Sequence, residues 1–182
     1  MGIRASDTGE LRFIDVRVPE DNLIGTPGAG FLQQMQFFDE TRTQVVAQGV
    51  GIAKGAAERA LAYAEEREQF GQAIGDLQAI RHELAEMYTD LEAARMLTFN
   101  SAWSVQHRDD QLTTLASMAE EFASRVAVRI ANEAVQIHGG AGYVDDFDVE
   151  RLYRDAKITQ IYEGTTEILK HVIARELQRK GS

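Results

Sequence analysis

The chain has 182 residues, enough for one domain with a sizeable core, and no cysteine, which excludes disulfides and thiolate metal ligands. Its net charge of −10 argues against nucleic acid or an anionic membrane as the main partner. No apolar run is long enough to span a bilayer, so a soluble, cytoplasmic protein is expected. His82 and His107 have no partner at metal-ligand spacing, and no metal site is predicted.

The first part of the chain predicts an isolated strand followed by a linker. Residues 11–17 alternate apolar and polar side chains imperfectly, as in a half-buried strand. One strand needs partners, and no second convincing strand follows. The cluster of proline, asparagine and glycine in residues 19–30 is typical of a connection. We therefore divide the chain into an N-terminal segment, residues 1–27, and a domain at residues 28–182.

Helical periodicity dominates this domain. Helices are predicted over about 31–68, 76–106, 114–138 and 148–157, and a last one runs through about Leu177. Asp76 is a plausible N-cap, and residues 118–124 are interpreted as an acidic helix surface. Long helices with short connections predict an all-α, antiparallel four-helix-type bundle. The first two apolar faces are Val46, Val50, Ala53, Ala57, Ala60 and Ala64, then Leu77, Ile80, Leu84, Met87, Leu91 and Ala94.

Candidate chemistry begins in the first helix, in the segment FFDETR. Asp39 and Arg42 are three residues apart and share a helix face. The alternative interpretation is a surface ion pair that contributes little. Glu40 lies roughly 100° around the helix from Thr41, so its side chain is expected to point elsewhere.

Two further segments interrupt the helices with glycine. In EREQFGQAIGDLQ, Arg67 offers a forked donor suited to pyrophosphate and Phe70 an aromatic surface, although a helix hairpin with a polar turn is the commoner explanation. In EAVQIHGGAGYV, Gly139 is an ordinary helix C-cap, which does not account for the glycines that follow. His138 is expected to be structural.

The most specific stretch is RLYRDAKITQIYEGTTEIL, residues 151–169. Glu163 lies there between Tyr162 and Gly164, immediately before two threonines that can cap a helix. A carboxylate at a helix entrance can be aimed into a cleft, and glycine permits close approach of a ligand. For a lone glutamate, a surface loop is the commoner explanation.

These four segments, in this order, resemble the C-terminal helical domain of flavin-dependent acyl-CoA dehydrogenases. The resemblance implies that Glu163 is the catalytic base and that Asp39, Arg42, Tyr162 and Gly164 contact substrate. Some family members place the catalytic carboxylate at the position of Thr41. The residues implied to bind the cofactor FAD are Arg67, Gln69, Phe70, Leu77, Gln78, Gln136, Ile137, Gly139, Gly140, Thr165, Thr166 and Glu167.

The resemblance also implies a larger parent enzyme. Residues 1–27 resemble the last strand and exit loop of the family's middle β domain, so the chain alone is expected to be inactive. The parent enzyme would introduce an α,β double bond into an acyl-CoA thioester, as a homodimer or homotetramer. It would pass its electrons to electron-transferring flavoprotein. Two alternatives stay open: a related acyl-CoA oxidase, and a non-catalytic helical oligomerisation module.

Overall fold

The computed structural model describes residues 1–180 and consists mainly of five α-helices, which confirms the all-α prediction. The helices are α1 (Gly30–Glu66), α2 (Gln78–His107), α3 (Leu112–His138), α4 (Val149–Ala156) and α5 (Thr166–Lys180), and the strands are β1 (Glu68–Gln69) and β2 (Gln72–Ala73). The two strands form a small antiparallel hairpin between α1 and α2. Short 3₁₀ turns precede α2 and α5.

The first two helices run antiparallel. Near the start of α1, the hydroxyl groups of Thr43 and Ser101 share a hydrogen bond of 2.6 Å, and Ser101 lies near the end of α2. At the other end, Gly75 lies so close to the backbone of Ala64 that an added Cβ would come within 2.9 Å of its carbonyl oxygen. The early residues of α1 therefore meet the late residues of α2, and the reverse holds at the opposite end.

The third helix runs parallel to the first. Thr113 at the start of α3 hydrogen-bonds Asp39 near the start of α1. At the far end, the rings of Tyr63 and His138 stack with centroids 4.2 Å apart. Helix α5 packs along α3 and completes the four-helix bundle.

The core lies around α3, which packs against α1, α2, α4 and α5. Small side chains on α1 and α3 let these two helices approach closely: Ala127 Cβ lies 3.8 Å from where a Cβ on Gly49 would be. Most of both predicted apolar faces is buried. The fully or nearly fully buried members are Val46, Ala53, Ala57, Ala60, Ala64, Leu84, Met87, Leu91 and Ala94.

Two details at the helix ends differ from the predictions or go beyond them. Asp76 is not the N-cap of α2: Leu77 occupies that position, with no side-chain cap hydrogen bond, because a 3₁₀ turn includes Asp76. The two-residue strands on either side of Phe70 and Gly71 were not predicted, since strands this short carry no alternating pattern.

The N-terminal segment contacts the bundle through residues 1–3, which lie against α4, whereas its apolar side chains from Leu11 onward are exposed. Residues 11–17 pair with no strand in the described part of the chain. The apolar side chains of Leu11, Phe13 and Val16 are exposed. Among residues 1–180, no helix combines the length and apolar character needed to cross a membrane.

Candidate active site

Glu163 lies in the turn of residues 161–165 that leads into α5. Its backbone has a φ of +57°, an uncommon value for a residue with a side chain, and Gly164 follows with a φ of +142°. Such a φ is readily adopted only by glycine, and an added Cβ on Gly164 would lie 3.2 Å from the side chain of Leu169. The turn therefore requires Gly164 and presents Glu163 from a strained backbone.

Two residues of α1 hold Glu163 in place. The Thr41 hydroxyl donates a hydrogen bond of 2.7 Å to Oε2 of Glu163, and Arg42 Nε donates one of 3.2 Å to the Glu163 backbone carbonyl. Both the side chain and the backbone of Glu163 are thus bonded to residues that lie at least 121 positions earlier in the sequence. Glu40 is exposed and takes no part, as predicted.

Asp39 and Arg42 form a largely buried ion pair. Arg42 Nη1 lies 2.7 Å from Asp39 Oδ1, and the two side chains are only 6% and 19% exposed. Thr113 of α3 donates a hydrogen bond of 2.7 Å to the other Asp39 oxygen. The alternative of a weak surface pair is therefore wrong, because this pair is desolvated and positions the guanidinium for Glu163.

A second carboxyl group lies beside Arg42. Glu120 of α3 is 0% exposed, and its Oε2 is 3.5 Å from Arg42 Nε. Neither oxygen has a hydrogen-bond partner among the described residues. The pKa of Glu120 is raised to about 8, mainly by burial, with a lowering effect from Arg42 and a smaller raising effect from the charge of Glu163.

The interpretation of residues 118–124 as an acidic surface is therefore wrong for Glu120. Its sequence spacing gave a clue, since Glu120 lies four residues after Ala116 and three before Ala123, both buried. We name Asp39, Thr41, Arg42, Glu120 and Glu163 together the base cluster.

The other predicted residues of the turn contact the protein. Tyr162 donates a hydrogen bond of 2.6 Å to Gln48 of α1, and burial, followed by the charges of Glu120 and Glu163, raises the pKa of its hydroxyl. The Thr165 hydroxyl accepts a long hydrogen bond from the Ile168 backbone and so caps α5 weakly. The remaining two positions are Thr166, half-buried, and Glu167, exposed.

An open groove of about 540 Å³ lies beside the base cluster. It is bounded by the starts of α1 and α3 and by the second half of α5, and Asp39 and Arg42 form part of its wall. Arg175 and Arg179 face the groove from α5. Arg42 therefore links the groove to the backbone of Glu163. The other lining residues are Phe31, Met35, Asp110, Thr113, Val172 and Glu176.

The segment predicted to bind flavin after α1 lies at the far end of that helix. Arg67 is the C-cap of α1, and Gln69 lies in β1. Phe70 is 90% exposed at the tip of the hairpin, with a φ of +56°. Gln78, the first residue of α2, is also exposed, whereas Leu77 is half-buried against the core. The polar and aromatic groups thus face outward.

The second predicted flavin segment ends α3 at the same end of the bundle. Gln136 is exposed and Ile137 is buried in the core. Gly139 is the C-cap, with a φ of +61°, and an added Cβ on it or on Gly140 would meet no atom within 4 Å. Their backbone is therefore open to an incoming group. The neighbouring imidazole of His138 bonds the Ala134 carbonyl, stacks on Tyr63 and is buried, which agrees with a structural role.

The two ends of the bundle are far apart. Arg42 and Arg67 are separated by 25 residues of continuous helix up to its C-cap, which corresponds to roughly 37 Å at about 1.5 Å per residue. The structure therefore brings together the base cluster at one end and residues 67–78 and 136–140, here named the flavin motifs, at the other. It does not bring the flavin motifs to Glu163 within one chain.

Comparison with known proteins identifies the family. Residues 28–178 match the family described as acyl-CoA dehydrogenase, C-terminal domain. The chain belongs to this family. The fold agrees: the butyryl-CoA dehydrogenase structure from Megasphaera elsdenii superimposes with a TM-score of 0.89 at 43% identity, covering 91% of this chain and 43% of that one.

Two relatives in sequence carry different activity names. The mitochondrial short-chain specific acyl-CoA dehydrogenase of Bos taurus is 46% identical over 97% of this chain and 43% of its own length. The acryloyl-CoA reductase (NADH) of Anaerotignum propionicum is 47% identical over 99% of this chain and 45% of its own. The acyl-CoA dehydrogenase domain described here thus spans less than half the length of these relatives.

Proposed function

We propose that this domain supplies the catalytic base, Glu163, to a FAD-dependent enzyme that oxidises the α,β bond of an acyl-CoA thioester. The observation that carries the proposal is the double attachment of Glu163 to α1. Thr41 holds its carboxylate and Arg42 its backbone, in a turn whose φ values are costly for the chain. Strain of this kind persists where the surrounding structure fixes it, and it is concentrated at functional sites.

In this proposal Glu163 removes a proton from the α-carbon of the thioester. The α-C–H group is weakly acidic, so the base must be positioned and the developing charge on the thioester oxygen stabilised. Thr41 and Arg42 fix the position of Glu163, and a backbone N–H near Glu163 would face the thioester oxygen. Tyr162 and Gly164 would shape the acyl site beside it.

The groove next to the base cluster suits the polar part of the same substrate. Arg175 and Arg179 line it, each ion-paired with Glu176 of the same helix, and Arg42 lines it from α1. Guanidinium groups bind phosphate oxygens with forked hydrogen bonds. We assign this groove to the phosphate-bearing end of acyl-CoA, with Asp39 and Arg42 on the substrate side.

The flavin motifs fit FAD in their chemistry. Open backbone at Gly139 and Gly140 permits the approach of a pyrophosphate, and Arg67 and Phe70 lie exposed on the same end of the bundle. When bound, FAD supplies the acceptor for the hydride that leaves the β-carbon. The other residues proposed to contact it are Gln69, Leu77, Gln78, Gln136, Ile137, Thr165, Thr166 and Glu167.

The separation of the two ends supports a flavin shared between copies. A flavin that meets the substrate at Glu163 cannot also meet the flavin motifs roughly 37 Å away along the same α1. We propose that the flavin motifs of one copy serve the flavin of another, in a homodimer or a tetramer built from two dimers. Residues 1–27 would belong to a preceding β domain, and electron-transferring flavoprotein would accept the electrons.

A related oxidase, in which oxygen accepts the electrons, has the same base requirement. Rapid reoxidation of the reduced flavin in air would favour it over a dehydrogenase. A non-catalytic bundle would need neither the strained turn nor the Thr41–Glu163 hydrogen bond, and a failure of the intact protein to bind flavin or thioester would favour it.

The test is Glu163→Gln in the intact parent protein, with Glu40→Gln as the matched control. Glutamine keeps the shape of the side chain and can still bond Thr41, but it cannot take a proton. Flavin content and acyl-CoA binding should survive, while flavin bleaching by acyl-CoA should fall by a factor of about 10² to 10⁴. A Glu163→Gln protein that bleaches at the original rate, or a Glu40→Gln protein that does not bleach, would refute the assignment.

A further inference from the structure

The Arg42 guanidinium has two competing acceptors for one N–H group. Its Nε lies 3.2 Å from the Glu163 carbonyl oxygen and 3.5 Å from Oε2 of Glu120. Nη1 is already engaged by Asp39 at 2.7 Å. Because a single N–H bonds one acceptor well at a time, the stronger acceptor determines where Nε–H points.

Glu120 is isolated from water and surrounded by few charged groups. Arg42 comes from α1 and Glu163 from the turn before α5, and the Tyr162 hydroxyl is the other titratable group coupled to Glu120. Among the described residues, α2 adds no charge that acts on it. A carboxyl group that is 0% exposed and has no hydrogen bond is costly to ionise.

We propose that Glu120 is a positioning residue whose proton decides which acceptor Arg42 Nε–H takes. While Glu120 is uncharged, its oxygens are weak acceptors, and Nε–H stays on the Glu163 carbonyl and fixes the turn. Once Glu120 is ionised, its carboxylate is the stronger acceptor and draws Nε–H away. Glu163 itself is then bonded to α1 through Thr41 alone, so the base loses one of its two hydrogen bonds to that helix.

The exchange of acceptors by Arg42 Nε–H should occur just above neutral pH, since burial raises the pKa of Glu120 to about 8. Most molecules therefore keep both hydrogen bonds to Glu163 at neutral pH, and Glu163 is loosened at alkaline pH. The consequence for proton abstraction rests on the proposed function of Glu163, but the exchange of acceptors does not. It can be measured in the 182-residue chain without flavin or substrate.

The experiment is a pH titration of the chain by NMR, observing glutamate side-chain carboxyl carbons and arginine Nε–H groups. One carboxyl should titrate with a midpoint near pH 8, and the Arg42 Nε–H proton, assigned through its loss in Arg42→Lys, should shift with the same midpoint. In Glu120→Gln, both transitions should vanish. In Glu121→Gln, which removes the adjacent acidic group, both should remain.

Three outcomes would overturn the proposal: no glutamate carboxyl that titrates above pH 7, an Arg42 Nε–H that stays fixed through the transition, or a shift that persists in Glu120→Gln. The first is read from the unmodified chain and so does not depend on any variant folding, and the second needs only the Arg42→Lys spectrum for its assignment. Failure of the proposed function looks different, because Glu163→Gln would then still bleach flavin while the coupled titration remained. In an active parent, Glu120→Gln should remove the alkaline loss of bleaching rate near pH 8 that Glu121→Gln retains.

Discussion

The two ends of the bundle differ in whether their predicted functional residues bond one another within the chain or are exposed. At the base cluster, Asp39, Arg42 and Glu163 are tied together by hydrogen bonds across three segments of sequence. At the flavin motifs, Phe70 is 90% exposed and the backbone of Gly139 is open to solvent. One end is internally assembled, and the other faces outward.

This contrast indicates which substitutions should affect folding and which should affect binding. Substitutions in the base cluster should change folding, because they leave buried charges without partners. Substitutions of the exposed residues of the flavin motifs should leave folding nearly unchanged and affect only what binds there. The following predictions test that division, beginning with the largest effect.

Arg42→Met should destabilise the chain by about 3–5 kcal/mol, because it leaves the buried Asp39 without its positive partner. Arg95→Met is the control, since Arg95 forms an exposed ion pair with Glu92 and should cost no more than about 1 kcal/mol. Urea unfolding of both variants measures the difference. Equal losses would place the Asp39–Arg42 pair in the same class as a surface pair.

Glu120→Gln should change how stability depends on pH. The pKa of Glu120 is raised on folding, so the folded chain holds a proton that the unfolded chain releases, and this contribution is complete at low pH and lost as pH rises towards about 8. Between pH 5 and 8, the unfolding free energy of the wild type should fall relative to the variant by about 1.4 kcal/mol per pH unit at most. Parallel curves for the two proteins would contradict the raised pKa.

Thr41→Val should cost about 1 kcal/mol, since it removes one hydrogen bond to Glu163 and keeps the shape of the side chain. Thr98→Val is a matched control, because the Thr98 hydroxyl bonds only the backbone of its own helix. Both can be measured by urea unfolding. In the parent protein, Thr41→Val should also lower the bleaching rate, whereas Thr98→Val should not.

Phe70→Ala should change the unfolding free energy by no more than about 0.5 kcal/mol, because the ring buries almost no surface in this chain. It should nevertheless weaken flavin retention by the assembled parent protein, which can be measured by the flavin content after dialysis. A large loss of stability in the isolated chain would show that the hairpin tip packs against the bundle.

The helices and their buried faces could be predicted from periodicity, as the Ala53–Ala64 face of α1 shows, because apolar spacing follows directly from helix geometry. Thr41 and Glu120 were not predicted as members of the cluster. The contact of Thr41 with Glu163 spans 122 residues, and no local pattern encodes a contact of that kind. Glu120 was predicted to lie on the surface because we gave its charge more weight than its spacing from the buried residues of α3.

We propose that the base cluster of one copy works with the flavin motifs of another. Two inactive variants of the parent test it: Glu163→Gln, which lacks the base, and Arg67→Ala combined with Gln136→Ala, which lacks flavin contacts. A purified hybrid dimer holding one copy of each contains one site with an intact base and with intact motifs from the neighbouring copy.

Bleaching by acyl-CoA in that hybrid is the decisive measurement. Sharing between copies predicts that the hybrid regains about half the bleaching amplitude of the unmodified dimer, since one of two sites is complete, while neither parent variant bleaches appreciably. If each copy instead used its own flavin motifs, every site in the hybrid would carry a defect. A hybrid as inactive as both variants would therefore show that the copies do not share their flavin motifs.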